Sequence, residues 1–249
     1  MPGTYLFIHQ NFPGQFVHIS AALAAAGHRV VALGIVGRNV PGVQYVRYEP
    51  ARPPGGAPVR GDLAAKLVRA EGCASAMLAL KAQGLQPDVI VAHPGWGEAL
   101  FCKDVWPQTR LVVFAEFYYT VDGSDYAFDP EFQTDTPAAR MRLRLKNTAL
   151  LHALAAADAA YAPTHWQKSQ VPPEFQHKVE VIFDGIDTQL VKPAAGVRVR
   201  LKRDNLELSR ADEVITFVNR NLEPYRGFHS FMRALPDMLA RRPRAHVLI

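Results

Sequence analysis

Five short stretches carry side chains that could do chemistry, and each follows a β-rich run. His93 leaves "PDVIVAH", with Gly95 and Gly97 around Trp96 and with Glu98 just after. Ligands of open α/β sheets bind beyond the carboxyl ends of the strands, so His93 is a candidate catalytic residue and equally a candidate structural histidine. Trp96 and Glu98 are candidate cleft residues, and Glu98 also suits the dipole at the start of a helix. Glu116 follows "RLVVFA" among Phe114, Phe117, Tyr118 and Tyr119. Desolvation by those rings is expected to raise its pKa, which suits a general base or a hydroxyl acceptor, with Tyr118 beside it; the bland alternative is an acid satisfied by backbone amides. Gly14, in "HQNFPGQF", falls where a first helix begins, so backbone N–H groups could receive a phosphate or a sugar hydroxyl there, or the glycine simply serves a tight turn. Asp184, in "FDGID", belongs to a turn by composition and is a further cleft candidate. In "RNLEPYRGF", Arg220 and Arg226 bracket a Glu-Pro pair ahead of Gly227, a cationic loop with the makings of an anion site.

The elements that must position these residues alternate. Apolar runs at 5–9, 28–35, 43–49, 87–93 and 110–117 read as strands, followed by "DAAYAPT" and "KVEVIFDGID". Between them lie an Ala-rich helix ending at Gly27, a long helix over "DLAAKLVRAEGCASAMLALKAQG", a short one over "WGEALFCKDVWP", and the longest over "TPAARMRLRLKNTALLHALAAA". "ARPPGGAP" is a loop by its Pro and Gly content. "YYTVDGSDYAFDPEFQTD" is a long acidic loop of the kind that often carries function. Continuous apolar runs separated by helices argue for an α/β domain, a doubly wound parallel sheet covered on both faces. That Rossmann-like domain covers 1–194. Residues 195–249 begin as a polar, basic linker and continue as "EVITFVN", a helix and "AHVLI", a partial second βαβ unit too small to hold a core alone.

The bulk numbers exclude several classes. The 249 residues carry 28 Lys and Arg against 23 Asp and Glu, a net charge of +5, with 49% hydrophobic residues. That is soluble globular composition. The cations are spread along the chain, which argues against nucleic acid as a partner. Cys73 and Cys102 match no metal spacing and read as buried free thiols of a reducing compartment. The N-terminus lacks a signal-peptide pattern and no stretch is apolar enough to span a membrane, so the expected location is cytoplasmic. Neither a G-x-G-x-x-G after the first strand nor a P-loop is present, against a dehydrogenase or a P-loop NTPase.

"HPGWGEALFCKDVWP", "EFYYTVDGSDYAFDPEF", "PTHWQKSQVPPEF", "VIFDGIDT" and "NRNLEPYRGFHSFMRALP" together resemble the bacterial group-1 glycosyltransferases, family 4, of the GT-B fold, in the family's order from residue 5 to 249. The resemblance implies two Rossmann-like domains, the first taking an acceptor and the second a nucleotide-sugar donor. It also implies transfer with retained configuration, no metal and no cofactor. The family's R-x5-[KR]-G spacing falls on Arg220, Arg226 and Gly227, which would grip the donor diphosphate; two fixed cations can stabilise a leaving diphosphate in place of a metal. The family's glycine-rich turn maps onto Gly14 and its strand-four histidine segment onto His93. Many relatives carry a histidine just after strand five, where this chain has Glu116. The family's E-x7-E site and closing helix would lie beyond residue 249, so the chain reads as an N-terminal piece of a glycosyltransferase acting on a saccharide or lipid-linked acceptor in envelope or exopolysaccharide synthesis, inactive alone. Two other readings stand beside it. One is a non-catalytic acceptor- or glycan-binding piece. The other is a peripheral protein drawn to anionic membrane by Arg140, Arg142, Arg144 and Lys146, a cluster that otherwise reads as a solvated face.

Overall fold

The computed structural model describes residues 1–50, 58–132, 135–202 and 205–249; of 58–60 only the backbone is described, and most of the expected 51–58 loop lies outside the described residues. The chain divides into two compact units: Met1–Ser124 with Asp135–Gly185, and Asp125–Thr134 with Ile186–Ile249. The division falls at Gly185–Ile186 where the sequence suggested 194, and part of the acidic loop goes with the second unit.

The first unit is built on seven strands: β1 (Thr4–Ile8), β2 (Arg29–Gly34), β3 (Val43–Arg47), β4 (Val89–Ala92), β5 (Arg110–Phe114), β6 (Ala159–Ala162) and β7 (Val179–Val181). They form one parallel sheet in the order β3-β2-β1-β4-β5-β6-β7, the doubly wound pattern whose order reverses between β1 and β4. Ile8 pairs with both Leu33 and Ala92, and Ala92 with Val113, so the residues after β1, β4 and β5 come to one level at the carboxyl edge.

Side chains alternate between the two faces, as strand geometry requires. Leu6, Ile8, Val31, Leu33 and Ile90 join the larger core cluster. Phe7, Val30, Ala32 and Val91 join the smaller one on the opposite face. The larger cluster lies under α2 (Pro58–Ala82), α3 (Cys102–Val105) and α5 (Thr148–Ala156), with Met77, Trp106 and Leu154 wholly buried. The other face carries α1 (Val17–Ala25), which packs on β2 and β3. Coverage of that face is therefore partial. Tyr5, Val89, Val112 and Tyr161 are only half-buried, and they floor an apolar trough of about 380 Å3 walled by Ile19 and Phe183. The expectation of a sheet fully covered on both faces is corrected to this extent.

The long helix expected from 136 to 157 is two helices, α4 (Pro137–Lys146) and α5, with Asn147 between them, and α2 at 25 residues is the longest. Thr136 caps α4, accepting the Ala139 N–H at 3.2 Å ahead of a proline suited to the first turn. Asn147 is 3% exposed, and its amide both accepts from the Tyr119 N–H at 2.9 Å and donates to the Tyr119 carbonyl at 2.7 Å. The short helix expected over 96–107 is a single 3-10 turn at Pro94–Trp96 followed by α3, so Glu98 lies in no helix. Two short helices, α6 (His165–Gln170) and α7 (Pro173–Gln176), complete the unit.

The second unit holds an antiparallel pair, β8 (Val199–Leu201) and β9 (Leu206–Leu208), where the sequence suggested a linker. It also holds the expected βαβ unit: β10 (Val214–Thr216), α8 (Phe228–Arg241) and β11 (His246–Leu248), with β10 and β11 parallel. Among the described residues, Leu208 alone of its apolar side chains is fully buried.

Candidate active site

At the reversal point of the sheet, the residues just beyond β1, β4 and β5 meet. His9 and His93 are 3% and 4% exposed, and their rings lie 5.2 Å apart. Trp96 stacks on His93, with centroids 4.2 Å apart and planes 23° apart. Gly14 is fixed by this crowding: its φ is +49°, and a Cβ there would stand 2.2 Å from His9 Nε2. Gly97, with φ +107°, lets the Trp96 turn approach α2, since a Cβ would meet the Lys66 carbonyl at 2.2 Å.

The hydrogen bonds settle the tautomers. A backbone N–H can only donate. The Asn11 N–H donates to His9 Nδ1 at 2.9 Å, so the His9 proton is on Nε2, donating to Gln15 Oε1 at 2.9 Å. Gln15 then donates through Nε2 to Glu116 Oε1 at 3.2 Å. The Gly95 N–H donates to His93 Nδ1 at 3.1 Å, so His93 Nε2–H donates to Glu116 Oε2 at 2.9 Å. Each Glu116 oxygen thus receives one donor, and Gln167 Nε2 holds its main-chain carbonyl at 2.8 Å.

The charge state of Glu116 differs from the expectation. The hydrogen bond from His93 outweighs burial and holds its carboxyl below the usual range. Burial, together with the neighbouring His93, pushes His9 down to about 4. Glu116 is therefore an ionised carboxylate with 41% of its side chain exposed, able to accept a further hydrogen bond from a hydroxyl. Both ring nitrogens of His93 are engaged, which makes it the group that orients Glu116.

The pocket in front of this pair, about 140 Å3, is lined by His93, Trp96, Glu116, Phe117, Tyr119 and Asn147 among others, with Lys66 and Lys146 in its wall. Trp96 lies there as expected. Tyr118 instead packs against the larger core cluster. Glu98 is fully buried and accepts from the Tyr48 hydroxyl at 2.8 Å, with its pKa raised by burial, so it is no cleft residue. Asp184 lines the apolar trough with Gln15 and His18; burial and the nearby Glu116 charge raise its pKa. His9, Gln15 and Lys66 were missed by sequence reasoning, although His9 ends β1 just as His93 ends β4.

In the second unit Arg226 is not a free cation. Its Nε donates to Glu223 Oε2 at 2.7 Å, and its guanidinium lies 5.2 Å from the Tyr225 ring. Arg220 is exposed and close enough to Glu223 to help hold that acid ionised. Gly227, with φ +75°, ends this turn and opens α8. Asp129, Glu131 and His229 also gather there, with ligand-type atoms within 4.8 Å of one another; Asp129 pairs with His229, and Arg233 with Glu131. Of the basic cluster, Arg140 pairs with Asp135 and Asp122, and Lys146 Nζ stands 3.5 Å from the centre of the Tyr119 ring.

A doubly wound parallel domain with this cluster at the reversal point, followed by a separate βαβ unit, defines a GT-B-type α/β protein. The sequence profile of the glycosyl transferase family 4 group matches residues 26–191, and the chain belongs to that family. Among solved structures it is similar to the catalytic domain of starch synthase IV from Arabidopsis thaliana (15% identity, covering 100% of this chain and 68% of that one, TM-score 0.57). It is also similar to the glycotransferase of kitacinnamycin (13%, 100% and 66%, TM-score 0.53) and to a UDP-N-acetylglucosamine 2-epimerase (12%, 99% and 63%, TM-score 0.52). At these identities the likeness is one of fold. The chain spans about two thirds of the length of these structures. None of the curated proteins matches it in sequence. Among the described residues, no helix is long and apolar enough to cross a membrane.

Proposed function

We propose that this chain carries the acceptor side, and the first part of the donor side, of a retaining glycosyltransferase that works without a metal or cofactor. It moves a hexosyl unit from a nucleotide-sugar to a saccharide or lipid-linked acceptor in envelope or exopolysaccharide synthesis, on the cytoplasmic side. The observation that carries this reading is the ionised Glu116, fixed by His93 and Gln15 and open to a pocket floored by Trp96. Aromatic faces beside polar groups suit a sugar ring, and the carboxylate can take the proton of the acceptor hydroxyl as the new glycosidic bond forms. The bond from the anomeric carbon to the diphosphate breaks at the same time, with the acceptor oxygen entering on the face the diphosphate leaves, as retention requires, and the departing diphosphate gathers charge that Arg220 and Arg226 offset. Residues 1–194 serve as the acceptor domain and 195–249 as the start of the donor domain, with Gly14 lending a backbone contact to the diphosphate.

The test is calorimetric titration of the chain with UDP, GDP and ADP and their sugar conjugates. Binding that disappears in Arg220→Ala and Arg226→Ala supports the diphosphate site and names the nucleotide. Binding that both variants retain would overturn those roles. A second reading, a piece that binds an acceptor glycan and catalyses nothing, is favoured by the location of the whole His9–Gln15–Glu116–His93 chain in the first unit. It predicts saccharide binding with no nucleotide binding. Peripheral contact with anionic membrane rests on Arg142 and Arg144, both exposed; salt-sensitive co-sedimentation with anionic vesicles checks it.

A further inference from the structure

Three neighbouring strands each deliver an aromatic side chain just past their carboxyl ends. Trp96 follows β4, Phe117 and Tyr119 follow β5, and Trp166 follows β6, and the three strands are adjacent in the sheet in that order. Trp96, Phe117 and Tyr119 line the Glu116 pocket. The centre of the Phe117 ring lies 4.9 Å from that of Tyr119 and 5.8 Å from that of Trp166. The row therefore continues out of the pocket to the surface, where Trp166 is 47% exposed. Phe117, Tyr119 and Trp166 join neither core cluster, while Tyr118 between the first two turns into the larger one. Aromatic surface that serves no core and extends from a pocket marks where a ligand lies. The outer end of the row is also tied to the inner. The Thr164 hydroxyl accepts the Gln167 N–H at 3.1 Å and caps α6, and Gln167 Nε2 holds that helix to the Glu116 carbonyl at 2.8 Å. Trp166 thus stands in a set place relative to the carboxylate before a ligand arrives, which lowers the ordering cost of binding.

At about 140 Å3 the pocket is smaller than the roughly 300–1,000 Å3 of sites that enclose a drug-sized ligand, so it takes a single sugar ring. Anything longer must leave it, and the Phe117–Trp166 surface lies on the way out. We infer that the acceptor is a glycan chain of at least two sugar units, whose end ring enters the pocket and whose next ring stacks on Phe117 and Trp166. This rests on the acceptor-pocket reading above and names the substrate class of that site. The C–H face of a sugar suits an indole, and its hydroxyls need polar neighbours, which His165, exposed next to Trp166 in the chain, can supply. Trp166 touches no reacting atom in this arrangement and sets specificity for chain length.

The experiment follows the three tryptophan indole N–H signals by 15N NMR. The chain is titrated with mono-, di- and trisaccharides of glucose, galactose, mannose and N-acetylglucosamine, and with phenyl and octyl glucoside. Buried Trp106 reports the fold. Trp96 is expected to respond to sugars of every length, and Trp166 only to those of two rings or more. The best disaccharide is expected to bind about two- to ten-fold more tightly than its monosaccharide, the scale of one aromatic contact. Trp166→Ala is expected to abolish that gain, and Trp166→Tyr, which keeps a flat ring, to retain part of it. Equal affinity for one ring and two, or a gain that survives Trp166→Ala, would overturn the inference and leave the saccharide pocket standing. Phenyl or octyl glucoside binding as tightly as the best disaccharide would overturn it as well, since the outer surface would then read an apolar aglycone and not a sugar. A Trp96 signal that moves with none of the sugars would remove the saccharide pocket itself and the inference with it.

Discussion

His9 shows how much a single unannounced side chain can control. Its ring is buried and neutral, pushed down to about 4, and it passes a hydrogen bond through Gln15 to Glu116. In the unfolded chain the same ring titrates near 6.5. Between those two values the unfolded state binds a proton that the folded state refuses, so stability rises with pH across that window. The expected loss on going from pH 6.5 down to about 4 is about 3 kcal/mol from this group. Urea unfolding as a function of pH should show that slope, and a His9→Gln chain should lack it. Glu116 acts in the same sense and lower down: its depressed pKa contributes stability that is present above the ordinary carboxylate value and lost as pH falls through the folded value. The sequence placed Glu116 at a strand end correctly but gave its pKa the wrong sign. The aromatic neighbours were visible in the chain; the His93 and Gln15 donors, brought in by folding, were not.

Among the elements, the seven parallel strands were legible because each is a short apolar run bounded by polar or turn residues. The break between α4 and α5 was not, because it depends on Asn147 reaching the Tyr119 backbone on another segment. Asn147→Ala strands a buried N–H and C=O, and about 3 kcal/mol of stability should go with them, measurable by denaturant unfolding. The β8–β9 pair escaped notice because each strand is three residues long, too short for its alternation to stand out in a polar stretch. The turn before α8 carries its own restraint. Glu223 holds Arg226, and an incoming diphosphate must compete with it. Glu223→Gln should therefore bind nucleoside diphosphate more tightly than the native chain, by calorimetry, with the modest gain expected of an exposed pair. Unchanged affinity would mean that Arg226 takes no part in binding.

At the scale of the whole molecule the two units differ in what holds them. The first has two extended core clusters on either side of its sheet. The second buries little beyond Leu208 among its described apolar residues, and α8 has no buried residue at all. Hydrogen exchange should separate them: amides of β10, α8 and β11 are expected to exchange at least about a hundred-fold faster than those of β1, β4 and β5, since local opening free energies follow buried apolar contact. The trough on the first unit has a consequence for handling the protein. Half-exposed Val89, Val112 and Tyr161 beside exposed Ile182 and Phe183 form an adhesive strip on a surface that parallel sheets normally shield. At millimolar concentration the chain should scatter light and brighten a hydrophobic dye, and Phe183→Lys should raise the concentration at which both begin. The colloidal behaviour of the preparation is thus written on one face of its sheet, where a bench measurement can read it before any substrate is known.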